Sequence, residues 1–232
     1  MKLKAHRVNI LNIKYLNIKE MDSITYELLK SEASKERREK ASGYVHIEDA
    51  YRCICAELLL RVCYEEFTRE GLVPKILYER YGKPYLENTD CFHFNISHSG
   101  EWVVIAYGDK KVGIDVEKVS DEMEEIAPVF LTKEEFKKIE NLETVRKSAL
   151  LTKLWTLKES YVKYRGTGLY TAMKAFGVMD DLEQSQKPGV VFHTEKLPGN
   201  YYLSVCSEDE RIDMQEVRLK DLTGSILQKR GA

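Results

Sequence analysis

The 232-residue sequence carries 36 Lys and Arg against 38 Asp and Glu, a net charge of −2, with 43% hydrophobic and 32% charged residues. That mixture suits a chain able to bury a core, and its near-neutral balance excludes a global field that would recruit nucleic acid or an anionic membrane. No run of about 20 apolar residues exists to span a bilayer, and the opening "MKLKAHRVNILNIKYL" lacks the apolar centre of a signal peptide.

In chain order, "KAHRVNILNI" reads as an opening strand, followed by a polar helical stretch over 23–43. A longer helix is expected from His46 to Phe67, with Ile47, Ile54, Leu58 and Val62 near helical spacing and Gly71 and Pro74 closing the region. Short strands "KILYER", "CFHFNIS" and "WVVIAYG" follow, separated by turn residues Gly82, Pro84 and Gly100. The pattern then restarts at "KKVGIDVEKV". A charged helix around "LTKEEFKKIENL" has Thr132 as N-cap and Glu135 as capping-box partner. A long helix runs from Thr144 to Tyr164 and stops at Gly166, and "AFGVM", "GVVFHTE", "YYLSVCS" and "MQEVRL" read as strands. The expectation is an α+β protein of two like halves, divided into 1–108 and 109–232, with a groove between them as the site.

Within "VGIDVEKV", Asp115 and Glu117 are two apart, so a strand places both carboxylates on one face. Within "KLWTLKESYVKYRGTGL", Glu159 and Lys163 are four apart on a helix. Taken singly, these are a solvated strand face and an ion pair worth about 0.2–0.5 kcal/mol. Taken together, three carboxylates form an all-oxygen cluster that repels itself unless a hard cation enters it. Magnesium suits such a set, keeping waters and accepting phosphate oxygens, and no His or Cys stands beside these acids for zinc or copper. In "NISHSGEWVVIAYG", Ser97, His98, Ser99 and Gly100 offer hydroxyls, an imidazole and open N–H groups to a phosphate, although an ordinary hairpin turn has the same composition. Arg37, Arg38 and Lys40 lie on the first polar helix and Lys83 in a "YGKP" turn. Arg52 lies in a mostly apolar helix and so requires a partner. His6, His46, His93 and His193 have no partner motif for catalysis or metal binding and are read as structural. Cys53, Cys55, Cys63, Cys91 and Cys206 make no CxxC pair, the pattern of reduced thiols in the cytosol.

The motifs "HIEDAYR", "YGKPYL", "FNISHSG", "VGIDVEKV", "FLTKEE" and "WTLKESYVK" followed by "GTGL" span about residues 36–170. In this order and spacing they resemble the 4′-phosphopantetheinyl transferases of the surfactin-synthetase-activating (Sfp) type. The resemblance implies a pseudo-twofold pair of α/β subdomains. It also implies transfer of the 4′-phosphopantetheine arm of coenzyme A to a serine of an apo carrier protein, releasing adenosine 3′,5′-bisphosphate. It implies Asp115, Glu117 and Glu159 as magnesium ligands, with manganese an alternative, Glu159 also as base and Lys163 on the phosphates. Ser97 and His98 then match pyrophosphate contacts, and Lys40, Arg52 and Lys83 match nucleotide-phosphate contacts. Arg37 stands where many members carry a lysine. Since the second half supplies what a partner subunit would, a cytoplasmic monomer is expected. Two rivals stand beside this reading: a metal-dependent phosphoesterase, and a non-catalytic homologue that binds coenzyme A or a carrier.

Overall fold

A computed structural model describes residues 10–71, 73–168, 173–178 and 189–230. The chain begins with strand β1 (Ile10–Asn17), then helices α1 (Ser23–Glu32), α2 (Lys35–Ser42) and α3 (Ile47–Thr68). The polar stretch expected as one helix is thus two. Its break falls at Ala33–Ser34, where the Ser34 side chain accepts from Arg37 N as an N-cap, a bond that competes with helix continuation. Strands β2 (Ile76–Tyr78) and β3 (Pro84–Leu86) form a small hairpin, and β4 (His93–Ser99) and β5 (Trp102–Gly108) a larger one. The second half opens on β6 (Val112–Lys118), continues through α4 (Met123–Phe130), α5 (Lys133–Ile139) and α6 (Thr144–Arg165), and closes with β7 (Val191–Leu197), β8 (Tyr201–Ser207), β9 (Arg211–Val217) and α7 (Leu219–Arg230).

Two sheets share one plan. The first has order β4-β5-β1-β9 and the second β7-β8-β6, so each opening strand pairs antiparallel with the second strand of a later hairpin. Alternation assigns the faces. Val103, Ile105 and Tyr107 of β5 pack against α3, whereas Trp102, Val104 and Ala106 meet Ile114 and Val116 of β6 and Leu203 and Val205 of β8. β5 is accordingly buried at every position. The far face of the second sheet is covered by α6, itself packed against α4. The layers are helix, sheet, sheet, helix.

Some differences from the sequence expectation have local causes. α4 holds Pro128 inside it, which obscures its helical pattern. "AFGVM" is not a strand where it is described: Met173–Ala175 form a 3-10 turn, and Met179 lies outside the described residues. "MQEVRL" is a strand, but β9 joins the first sheet, parallel to β1. Capping-box Thr132–Glu135 and the left-handed Gly166 that ends α6 stand where expected. Among the described residues no helix is long and apolar enough to cross a membrane.

Gly113 fixes how α6 lies on β6. A Cβ there would stand 2.0 Å from the Ser160 carbonyl oxygen and 2.3 Å from Tyr164 N, so helix backbone rests directly on strand backbone. We expect Gly113→Ala to lower stability by about 1–3 kcal/mol, since neither backbone can yield cheaply; urea denaturation of both proteins measures it, and an unchanged midpoint would remove the close approach from the account.

Candidate active site

The close approach at Gly113 brings β6 and α6 together two residues before Asp115. From the other side, β4 lies along β6 without a shared ladder. The seam is made by side chains at alternate positions of β4. Asn95 Oδ1 accepts from Ile114 N at 2.8 Å, Ser97 Oγ donates to Asp115 Oδ1 at 2.9 Å, and Ser99 Oγ accepts from Lys118 N at 3.4 Å. Positions two apart share a face, so one polar stripe of "FNISHS" holds the acidic strand.

Asp115 is buried, and its Oδ1 also accepts from Lys163 Nζ at 2.7 Å, while Lys163 donates to Ser97 Oγ at 3.0 Å. Lys163 therefore pairs across to the strand; the expected ion pair along the helix with Glu159 is not formed. Asp115 Oδ2 is buried with no hydrogen-bond partner. Burial, then the Asp115 charge, push the Glu117 carboxyl up to about 7, with Glu159 adding to the shift and Ser99 and Lys163 opposing it. Burial and Asp115 likewise raise Glu159. The three acids feel one another's charge, and one of their oxygens points nowhere.

That electrostatic crowding has a measurable sign. Unfolded Glu117 loses its proton near its ordinary 4.5 and the folded residue near 7, so between those values the native chain holds the extra proton. Stability contributed by this group is present below about 4.5 and is lost as pH rises through 7. We expect the melting temperature of metal-free protein to fall across that window and the slope to shrink in Glu117→Gln, the remainder belonging to Glu159. Parallel curves for parent and variant would count against the crowding.

The remaining candidates surround this centre unequally. His98 stands at the exposed rim, its pKa lowered by partial desolvation of its ring and then by Arg52, with Lys163 adding to the effect. Arg52 does have the partners its setting requires: it donates to the Gly100 carbonyl and to Asp49 Oδ1, both at 2.5 Å. Lys83 donates to the carbonyls of Val112 at 3.0 Å and Tyr164 at 3.2 Å, tying the β2–β3 hairpin to the start of β6 and the end of α6. Burial pushes it down to about 8. Arg37 and Lys40 lie further off, in a cavity of about 460 Å³ between α2, α3 and the segment before β2. There Arg37 pairs with buried Glu57 at 3.4 Å, which Arg61 also holds. Asp115, Glu117, Glu159, Lys163 and Ser97 thus converge, His98 and Arg52 line the rim, and Arg37, Lys40 and Lys83 stand apart.

Sequence reasoning missed Asn95 and Tyr201 as supporting residues, and took Ser99 only as a phosphate contact and not as part of the seam with β6. Asn95 and Ser99 belong to the same alternating stripe as Ser97, a signal present in the sequence. Tyr201 of β8 carried none: its hydroxyl accepts from Glu101 N at 3.2 Å and lies where a Gly100 Cβ would be, bracing the turn that carries His98.

Among the described residues, no three His, Cys, Asp or Glu side chains form a ready-made metal cluster. The donor set nevertheless fits a hard cation. Magnesium takes one or two carboxylates and fills its octahedron with water and phosphate oxygens, and the unpartnered Asp115 Oδ2 beside two carboxyls of raised pKa is what such an ion would relieve.

Comparison with known proteins agrees over both halves. Residues 22–110 match the family model "4'-phosphopantetheinyl transferase, N-terminal", and residues 111–216 match that of the 4'-phosphopantetheinyl transferase superfamily. The chain is 33% identical over 210 residues to the 4'-phosphopantetheinyl transferase gsp of Aneurinibacillus migulanus, covering 86% of each chain. It is 32% identical to the 4'-phosphopantetheinyl transferase Sfp of Bacillus subtilis, covering 75% of this chain and 81% of that one. A Candida glabrata L-aminoadipate-semialdehyde dehydrogenase-phosphopantetheinyl transferase is 27% identical over 68% of this chain and 67% of its own.

Proposed function

The chain belongs to the 4′-phosphopantetheinyl transferase family, and from that premise we infer how its residues divide the work of transfer. The reaction moves the 4′-phosphopantetheine arm of coenzyme A to a serine of an apo carrier protein. A bond forms between the serine oxygen and the β-phosphorus, the bond to the leaving adenosine 3′,5′-bisphosphate breaks, and the serine proton departs. Neither rival reading has support among the relatives described above, whose names are those of transferases.

In our proposal Asp115, Glu117 and Glu159 hold magnesium, or manganese in its place, which when bound neutralises charge building on the phosphate oxygens. Lys163 and Ser97, already hydrogen-bonded at Asp115, orient a pyrophosphate oxygen against that charge. His98, with its pKa lowered, is neutral at pH 7 and serves as a hydrogen-bonding group at the rim. Glu159, with its pKa raised towards the working pH, accepts the serine proton directly or through water. Arg52, Lys83, Arg37 and Lys40 serve the nucleotide phosphates from the N-terminal subdomain, residues 1–108, while residues 109–232 supply the carboxylates. We place the enzyme in the cytoplasm as a monomer, in keeping with its free cysteines, of which all but Cys91 are buried.

The observation that carries this reading is Asp115, paired through one oxygen with Lys163 and Ser97 and unpartnered at the other. Incubation with coenzyme A, magnesium and a panel of apo acyl, polyketide and peptidyl carriers tests it. A mass gain of one phosphopantetheine arm, abolished by chelator and restored by magnesium, is expected. Coenzyme A cleavage with no carrier modified would replace transfer with hydrolysis.

A further inference from the structure

Beyond the carboxylates, the α6 face of the second sheet carries an unusual row. Cross-strand pairing sets Glu117 of β6 opposite Tyr202 of β8, and Tyr202 opposite Lys196 of β7, so all three side chains share one face. Two strand spacings put Lys196 about 10 Å from Glu117. Lys196 stands over the Tyr202 ring, 5.4 Å from its centroid. Lys153 of α6, about 9 Å of helix before Glu159, lies on the helix that packs against β7, near enough to feel the Lys196 charge. Burial and the Lys196 charge both lower the Lys153 pKa. Lys153 is half-buried and Lys196 exposed, and among the described residues no carboxylate pairs with either. Two like charges are held together over an aromatic floor, beside the reacting centre.

The side on which they lie identifies what they meet. β6 separates β4 from β8, so Ser97 and His98 flank the acids on one side and Lys196 on the other. In phosphoryl transfer the attacking and leaving oxygens lie roughly in line on opposite sides of phosphorus. With the donor's pyrophosphate on the β4 side, the acceptor serine enters from the β8–β7 side. A carrier residue near that serine falls within reach of the lysines.

We propose that Lys153 and Lys196 form a docking point for a carboxylate that the carrier protein presents beside its acceptor serine. The proposal rests on the transfer reading above and adds the side and the charge of approach. It predicts that carrier affinity, and not coenzyme A affinity, is governed by this pair.

The test compares the parent with the double variants K153Q/K196Q and K153E/K196E, in steady-state transfer to an apo-carrier that the parent modifies, at low and high salt. Both residues are outside the phosphate and carboxylate machinery, and melting temperatures check folding. Charge reversal should raise the carrier KM about tenfold or more, the neutral pair less, with the coenzyme A KM unchanged. The parent's carrier KM should rise with salt, and the variants' should respond less. An unchanged carrier KM overturns the docking point, while continued transfer by the parent leaves the functional reading intact. A rise in the coenzyme A KM instead would assign the lysines to the donor and equally overturn the proposal.

Discussion

Asp115→Asn should abolish transfer while leaving a folded and, without metal, no less stable protein. The carboxylate accepts from Ser97 and Lys163 through Oδ1 and has nothing at Oδ2. A buried acceptor without a partner is costly, and Asp115 also raises the pKa of both Glu117 and Glu159. An amide keeps the shape and one acceptor while relieving that repulsion, so the metal-free melting temperature should hold or rise. Activity should respond in the opposite direction, by about 10³-fold or more, because a pre-set charge facing the transferring phosphate is removed. Single-turnover transfer and thermal melting on the same preparation check both halves. Transfer at the parent rate would remove Asp115 from the site, and a collapse in melting temperature would make its role structural.

Glu159→Gln separates two duties that one side chain is asked to perform. The amide retains an oxygen ligand but loses charge and basicity. If proton acceptance is the larger duty, coenzyme A binds as before in magnesium and transfer falls by about 10²–10⁴-fold, the range for a lost general base. If holding the cation is the larger duty, coenzyme A affinity falls too and high magnesium restores part of the rate. The raised pKa of Glu159 favours the first outcome. Calorimetric titration of coenzyme A beside single-turnover transfer distinguishes them, and a variant unchanged in both would leave Glu159 without a role in the reaction.

Much of this site was legible because its residues obey short-range rules. Asp115 and Glu117 announced their shared face by alternation, Gly166 its left-handed cap, and Thr132 and Glu135 their reciprocal bonds. What escaped depends on distant parts of the chain. Gly113 looked like one small residue in a strand, and only the α6 backbone lying on it reveals why a side chain is excluded. Lys163 had a carboxylate one helical turn away and pairs with another 48 positions distant, because β6 packs closer than the helix neighbour. Arg52 was expected to need a partner, but no local pattern indicates that the partners are the Gly100 carbonyl and Asp49, or that Lys83 reaches the Val112 and Tyr164 carbonyls. Charge type is local information; which partner satisfies it is not.

The placement of β9 bears on how the molecule is made. The strand beside β1 comes from the far end of the second half, and the link between Lys14 and Gln215 spans 201 positions. During vectorial synthesis the ribosome releases β1, β4 and β5 long before β9, so the nascent first sheet waits with one margin bare. Unpaired N–H and C=O groups along such a margin invite pairing with other chains, and contacts of this separation are slow to form. The interval between emergence of β5 and of β9 is therefore when a nascent chain is most exposed to chaperones and to its own neighbours. Moving β9 ahead of β1 by circular permutation would close that interval without altering a single residue of the site.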